Sequence, residues 1–536
     1  MAIETAKVGV AKPIVWTIAG SDSGGGAGIQ ADLAAINALE AHGCSVITSL
    51  TAQNSVSVDL VQSVSEEMLL AQLDTLLSDL PPKAIKIGLL SDQQQLQHVA
   101  NWLAVDLKDY QKRHDVEVAV IVDPVMVATS GDKLNLSSQL DFSPFKGLAT
   151  LITPNYHELV QLTQPLEDMG SVIEAGYQLA ETLQTNVLIK GGDNSPLWHT
   201  DYAQDLFICR SAKRTSPLHQ QRTFLLKGPR VGTGLYRQQG CHGSGCTLSS
   251  AVAAVMAHGF VLHDAVVVAK AFITQGIECA VPLGQGHAPV EKTKWPNSLR
   301  YFPKIDVVDD GPWYDSQVSE FAACVSSLAD KPYLGVYPVV DNVDMIASLL
   351  HAGARTIQLR IKQESDLEND PLLADKIAAA IELGKQFNAR VFINDHWQQA
   401  IAHQAYGIHL GQEDLYQADL SAIAASGARL GLSSHGYFEA LIALQVNPSY
   451  LALGHIFPTT TKAMPSTPQG IDHLQRYVQL FAGQLPLVAI GGIDLSNLNQ
   501  VKHTKVDDIA VARAVTEADD PAGAYQALAA AWQEVS

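Results

Sequence analysis

The chain is patterned in short apolar runs that stop abruptly at glycines or at polar residues. Residues 14–19 are apolar and largely β-branched, and they break into SDSGGGAGIQAD at 21–32. Ile29, Leu33 and Ile36 then recur at helical spacing, and 45–50 resumes as a strand. Further strands are expected at 84–90, 116–122, 148–153 and 186–190, with helical patterns between several of them. That alternation predicts a parallel sheet with crossover helices. At 240–255, in GCHGSGCTLSSAVAAV, glycines lead directly into Leu248, Val252 and Val255 at helical spacing, so a loop feeds a helix N-terminus. Unpaired N–H groups of a first helical turn, approached through glycines, make an oxyanion or phosphate cradle, here with the Cys246 thiol at its edge. The same stretch also reads as a tight turn before a buried helix, and its surroundings must decide.

The second half repeats a different rhythm. Eight strand-like runs fall at 334–340, 356–361, 390–393, 407–410, 430–433, 450–456, 486–490 and 508–511, with helical segments such as MIASLLHAG between them. Eight β/α units in roughly 200 residues is the minimum for a TIM barrel. Between the halves, 291–330 loses periodicity and carries Pro296, Pro303 and Pro312. The expected organisation is therefore α/β throughout: a mostly parallel α/β domain over 1–290, a linker over 291–330 and a (β/α)8 barrel over 331–536.

Composition narrows the function. Of 536 residues 47% are hydrophobic and 17% charged, with 39 glycines, which suits α/β folds with many tight turns. Lys and Arg total 35 against 55 Asp and Glu, and a formal charge of -20 argues against a nucleic-acid binder or an anionic-membrane surface. Six scattered cysteines without metal-ligand spacing fit a reducing compartment, and the N-terminal stretch has neither a signal-peptide pattern nor a long apolar span. A cytoplasmic enzyme that takes small molecules is expected, with neither nucleic acid nor membrane as partner.

Candidate chemistry gathers where the runs end. In the first half these residues are Asp123 in VDPVM, Asn155 and Glu158 in TPNYHE, and Lys190 with Asp193 in KGGD. Ligands of open α/β sheets bind at the carboxyl ends of strands, so these should share one crevice, where a carboxylate could hold Mg2+ and a lysine could meet a phosphate. In the second half the runs end in Gln358, Arg360 and Lys362, in Asn394 and Asp395, in Asp414, in Ser433 and His435, in Thr459, Thr461 and Lys462, and in Gly491 and Gly492. A barrel turns all of these to one mouth, where two carboxylates, several cations and a glycine loop make a Mg2+-diphosphate site. Taken singly, His435 reads as structural.

WTIAGSDSGGGAGIQADL, SVITSLTAQNSV, KIGLLSD, VDPVMVATSGDKLNL, LITPN, KGGD and HGSGCTLSSA resemble, in this order, the motifs of hydroxymethylpyrimidine/phosphomethylpyrimidine kinases, members of the ribokinase-like superfamily. The resemblance implies a ribokinase-like α/β sandwich that uses ATP to phosphorylate hydroxymethylpyrimidine and then its monophosphate. It would set Gly20, Asp32, Gln53 and Val125 around the pyrimidine, Asp123 and Glu158 at Mg2+, Lys190 at the ATP phosphates, and Gly243, Ser244, Gly245 and Cys246 in the anion hole. A thiol at a helix N-terminus can have a lowered pKa, so a Cys246 thiolate is expected to take the proton of the substrate hydroxyl. The chain departs from the family pattern at Cys241, usually threonine, at Leu89, usually methionine, and at Thr129, usually lysine.

QLRIK, FINDHW, GIHLGQEDL, LGLSSH, LALGHIFPTTTK, PQG and AIGGI resemble thiamin-phosphate synthase. This resemblance implies that Asp395 and Asp414 hold Mg2+ and that Arg360, Lys362, Asn394 and Lys462 grip a diphosphate. Ser433 and Gln358 would border the pyrimidine, and Thr459, Thr461 and Gly492 the thiazole phosphate. Arg513 stands where the family has a small serine. The two resemblances support one another, because the product of the first reaction is a substrate of the second. Three readings stay open from sequence: a bifunctional thiamin-synthesis enzyme, an active synthase with a first half acting on pyridoxine-type substrates, or an active synthase with a first half that only binds or oligomerises. A homo-oligomer is compatible with all three.

Overall fold

The computed structural model describes residues 11–126, 140–192, 201–210, 222–231, 241–308, 321–324, 333–361, 371–459 and 467–533. They fall into two compact units, the first running through residue 308 and the second including residues from 321 onward. Among them no helix is long and apolar enough to cross a membrane.

The first unit is built on a ten-stranded sheet. Its strands are β1 (Ile14–Asp22), β2 (His42–Gln53), β3 (Val58–Ser63), β4 (Ala84–Ile87), β5 (Ala119–Val122), β6 (Leu151–Ile152), β7 (Asn186–Gly191), β8 (Tyr202–Cys209) and β9 (Arg222–Pro229). A short pair, β10 (Cys241–His242) and β11 (Ala288–Pro289), stands apart, and β12 (Lys304–Val307) completes the sheet. The order is β12-β9-β8-β7-β6-β5-β4-β1-β2-β3. The centre, from β2 to β7, is parallel, whereas β3, β8, β9 and β12 are antiparallel additions at the two sides.

Helices cover both faces, which is why the central strands are apolar along their whole length. Because side chains alternate across a strand, Trp16 and Ile18 of β1 and Ile85 and Ile87 of β4 enter one core, with Leu69, Leu96 and Val172 from three helices. Thr17 and Lys86, opposite one another in the β1–β4 register, turn to the other face, toward the helices Gly28–Ala38 and Ser244–Ala257. Helix Ser244–Ala257 is buried continuously from Thr247 to Val255, so it is a core helix whose N-terminus emerges at the strand ends. The segment expected as a linker begins later than its loss of periodicity suggested: β12 hydrogen-bonds to β9 and belongs to the sheet. Four residues of extended edge strand are too short to show a period against the surrounding prolines.

The second unit is a closed barrel of eight parallel strands, β13 (Val336–Val340), β14 (Thr356–Leu359), β15 (Arg390–Asn394), β16 (Gly407–Leu410), β17 (Arg429–Ser434), β18 (Tyr450–Gly454), β19 (Leu487–Ile490) and β20 (Asp508–Val511). Closure comes from pairing of β20 with β13. The interior is filled by Tyr337, Val339, Phe392, Tyr450, Ala452, Val488 and Ala510. Two strand glycines make room for its rings: a Cβ at Gly407 would stand 2.4 Å from the Phe392 ring, and one at Gly431 would stand 2.2 Å from the Tyr450 ring. Gly431→Ala should therefore overpack the barrel and destabilise it by about 1–3 kcal/mol. Thermal unfolding of the barrel, followed against the wild type, checks this.

Candidate functional site

At the carboxyl ends of the parallel strands of the first unit lies a cavity of about 1100 Å³. Gly20, Gln53 and Val125 line one part of it, and Asp123, Glu158 and Lys190 another, with Gly243 to Cys246 between them. The loop 22–28 and the loop before helix Ser244–Ala257 meet edge to edge. Gly243 is the N-cap at φ 74°, and a Cβ on it would fall 1.9 Å from the Gly26 carbonyl oxygen. Only glycine permits both the left-handed backbone and that approach. The result is a helix N-terminus aimed into the cavity, as an anion cradle requires.

Under the cradle two lysines organise three carboxylates. Lys190 donates to Asp123 Oδ1 at 2.6 Å and stands 3.7 Å from Glu158 Oε2. Burial works against the Lys190 ammonium, but Asp123 and then Glu158 hold it protonated well above the ordinary lysine range. Burial alone would raise the Asp123 carboxyl; Lys190 and then Lys86 hold it below its usual range. Glu158 closes a capping box with Asn155, its Oε2 accepting the Asn155 N–H at 2.8 Å. Asp123 Oδ2 has a long contact of 3.4 Å from the Ser249 hydroxyl. The carboxylate face toward Gly245 therefore fits a hard cation such as Mg2+.

Lys86 escaped the sequence reading. It donates to Asp32 Oδ2 at 2.7 Å with both side chains fully buried, and burial, which disfavours its charge, is outweighed by Asp32, Cys246 and Asp123. The available signal was a lysine inside AIKI, a run otherwise fit for a buried strand. Asp32, expected at the pyrimidine, does not reach the cavity: Thr17 Oγ1 donates to its Oδ2 at 2.6 Å and Ser250 Oγ to its Oδ1 at 2.8 Å, so both oxygens are engaged beneath the floor. Its partner Lys86 reaches the lining instead.

The lowered pKa expected for Cys246 is overturned. The thiol is partly open to the cavity, but protein encloses its other sides, and burial pushes it up to about 11. Lys86 and a Gly28 N–H favour the thiolate, while Asp32 and Asp123 oppose it. Helix-end reasoning from sequence could not see how far protein encloses the thiol. Cys241, in β10, also lines the cavity, and burial raises its thiol against the pull of Lys292. Leu89 is buried beside Gly20. Thr129 and Asp193 lie outside the described residues.

In the barrel the expected residues stand at the carboxyl ends of the strands. Arg360 follows β14, Asn394 ends β15, Ser433 lies near the end of β17, and Asp414 sits in the short helix Gln412–Leu415 after β16. Asp395, directly after Asn394, adopts φ 61°, a conformation uncommon for a residue with a side chain. It and Asp414 offer hard oxygen donors at neighbouring strand ends, chemistry suited to Mg2+. Gly492 has φ 66°, and a Cβ there would strike the 457–458 backbone, so the loops after β18 and β19 pack closely beside Thr459. His435 pairs with Glu439 at 2.9 Å, consistent with a structural role. Arg513 begins the short helix after β20. Lys362, Thr461 and Lys462 lie outside the described residues.

Gln358 does not simply border the mouth. It is 2% exposed, its Oε1 accepts from Tyr337 and its Nε2 donates to Asn394 Oδ1. Sequence reading also missed His409, which bonds Tyr450 OH at 2.7 Å and Ser433 Oγ at 2.8 Å. Burial, and then the Arg360 charge, push the His409 ring down to about 3, so it is neutral.

A mostly parallel α/β unit with an anion cradle over a lysine-carboxylate cluster, joined to an eight-stranded barrel with carboxylates and an arginine at its mouth, defines a chain of two phosphate-handling transferases. Residues 22–291 match the phosphomethylpyrimidine kinase family and 336–515 the thiamine monophosphate synthase family. Thiamine-phosphate synthases of Citrobacter koseri and Klebsiella pneumoniae are 55% and 56% identical over 187 residues, 35% of this chain and 86% of each relative. The solved phosphomethylpyrimidine kinase of Clostridium difficile is 29% identical, covering 50% of this chain and all of its own, with a TM-score of 0.37. The chain belongs to both families, the kinase through its first half and the synthase through its second, and is a bifunctional enzyme of thiamine biosynthesis.

With burial holding the thiol up, peptide-resolved alkylation of Cys246 in the ligand-free protein should keep accelerating through alkaline pH toward a midpoint near 11. A plateau in the neutral range would show a stabilised thiolate instead.

Proposed function

We propose that the first unit transfers the γ-phosphoryl group of ATP to hydroxymethylpyrimidine and then to its monophosphate, and that the barrel joins the resulting diphosphate to a thiazole phosphate. The carrying observation is the convergence of Lys190, Asp123 and the N-terminus of helix Ser244–Ala257 on one cavity. Gly20, Gln53 and Val125 form the wall against the pyrimidine, with Leu89 as its apolar side. Lys190 meets the transferring phosphate as a point charge, and the N–H groups after Gly243 receive the charge that develops on it. Asp123 and Glu158 would hold Mg2+, which neutralises phosphate charge when bound. Asp32 and Lys86 act beneath the site by fixing each other and the floor.

Cys246 is assigned as acceptor of the hydroxymethyl proton. In the free enzyme it is overwhelmingly thiol, because its pKa lies near 11, and below that value the thiolate fraction grows tenfold per pH unit. The kinase kcat/KM should therefore rise with pH from neutral into the alkaline range, since this parameter reports the free enzyme's ionisations. Cys246→Ala should lower turnover by roughly 10²- to 10⁴-fold with the fold intact by circular dichroism. A flat pH profile together with near-normal turnover of the variant would remove the assignment.

In the barrel, the bond between the pyrimidine methylene carbon and the diphosphate oxygen breaks, and a bond from that carbon to the thiazole nitrogen forms. The electron-rich aminopyrimidine stabilises the intervening cation, so the chain's task is positioning and charge neutralisation. Asn394 and Arg360, with Lys362 and Lys462, grip the leaving diphosphate; Asp395 and Asp414 would hold Mg2+ against it. Ser433 faces the pyrimidine, while Thr459, Thr461 and Gly492 receive the thiazole phosphate. Purified chain given hydroxymethylpyrimidine, ATP, Mg2+ and thiazole phosphate should form thiamin phosphate. Asp414→Ala should cut the synthase step by about 10²- to 10³-fold while ATP consumption with hydroxymethylpyrimidine persists. Equal loss of both activities would argue against two separate sites.

A further inference from the structure

The barrel core carries an unbroken chain of hydrogen bonds across five strands and into a sixth. It runs from Asn394 of β15 to Gln358 of β14, Tyr337 of β13, Tyr450 of β18, His409 of β16 and Ser433 of β17. The six residues joined by these five bonds come from segments up to 113 positions apart in sequence, yet every link lies between 2.7 and 3.1 Å. Tyr337 and Tyr450 are fully buried, and His409 is 3% exposed. Gly431 leaves the slot that the Tyr450 ring fills.

Each hydroxyl has a single proton, so one end of such a chain dictates the rest. Gln358 gives its Nε2 proton to Asn394 Oδ1, which leaves Oε1 facing Tyr337. A carbonyl oxygen can only accept, so Tyr337 must donate to it. Tyr337 then has no proton for Tyr450, and Tyr450 must donate to Tyr337. Tyr450 in turn can only accept from His409, which places a proton on Nδ1. A neutral ring protonated on Nδ1 has a bare Nε2, and the Ser433 hydroxyl must donate to it.

We propose that His409 is a positioning residue, held by the Tyr450–Tyr337–Gln358–Asn394 chain as the Nδ1–H tautomer, which turns the Ser433 hydroxyl inward and presents its oxygen to the substrate solely as a hydrogen-bond acceptor. The ring is 3% exposed and its two nitrogens face neutral hydroxyls, those of Tyr450 and Ser433, an environment that suits an uncharged imidazole whose Nε2 can accept. The consequence for substrate rests on Ser433 facing the pyrimidine: the site then favours a ring that offers an N–H donor there, an aminopyrimidine, over one that offers a carbonyl. A carbonyl would find no proton on Ser433, and its approach would leave two acceptors facing one another.

The test is the tautomer itself. In full-length chain labelled with 15N-histidine, the His409 signals are assigned by their loss in His409→Gln, and the two ring nitrogens are read from their shifts and long-range couplings. The expected result is a neutral ring with its proton on Nδ1. A proton on Nε2, which the reversed amide arrangement would give, or an imidazolium overturns the proposal. Tyr450→Phe and Tyr337→Phe interrupt the chain at different links. In either folded variant the Nδ1 preference should weaken, and KM for the pyrimidine diphosphate should rise roughly 3- to 10-fold, one hydrogen bond's worth, with kcat changed less than about twofold. An unchanged tautomer in both variants overturns the proposal. If the wild-type ring carries its proton on Nδ1 but the chain forms no thiamin phosphate from the diphosphate and thiazole phosphate, the positioning chain stands and the synthase reading of the site falls.

Discussion

The ion pair between Lys86 and Asp32 is the constraint on which the kinase half depends. Neither side chain has solvent to fall back on, and Thr17 and Ser250 donate to the two carboxylate oxygens, one each. Removing one partner of such a pair leaves a buried charge uncompensated, a cost of roughly 3–5 kcal/mol. Its four participants come from β1, β4 and the helices Gly28–Ala38 and Ser244–Ala257, so the pair locks the cradle helix to the centre of the sheet. The N-terminus of that helix is then held where Gly243 and Gly26 touch, and Cys246 sits above a cation that favours its thiolate and carboxylates that oppose it. Burial thus raises the Cys246 thiol, and the charges fixed beneath the floor pull on it in opposite directions.

The barrel reaches a comparable end through a network of neutral side chains. Along that network the polar side chains are neutral and satisfy one another, with two tyrosines, a glutamine, an asparagine and a histidine linked in sequence. A partly satisfied network would cost more than an apolar core, and a satisfied one gives each member a single orientation. The glycines at 407 and 431 show the same economy of space, since each vacates the volume that a neighbouring strand's ring occupies. In this unit precision at the mouth comes from packing and hydrogen-bond direction in the core.

Much of both sites was legible in the chain. Asp123, Glu158, Lys190 and the glycine loop up to Cys246 stand at strand ends in the sequence and line one cavity in the structure. Asn394, Asp395, Asp414 and Ser433 likewise follow or end barrel strands as their pattern indicated. What was not legible lies inside strands. Lys86 interrupts AIKI and His409 interrupts GIHL, and a single polar residue in a four-residue apolar run gives no period to read. The strand β12 stayed hidden for the same reason, being four residues flanked by irregular chain.

Sequence by itself determined the alternation of strands and helices, the two-part organisation and the residue types at each strand end, because backbone periodicity and turn chemistry are local properties. Tertiary structure decided which way charges act on one another. The glycine loop and helix start predicted a thiolate at Cys246, but burial by distant segments raises the thiol instead, Lys86 opposing and Asp32 and Asp123 adding to it. Asp32 moved from the substrate wall to the floor, and Gln358 from the mouth to the core, because a side chain's role follows from the partners it meets, and those partners are set by long-range packing.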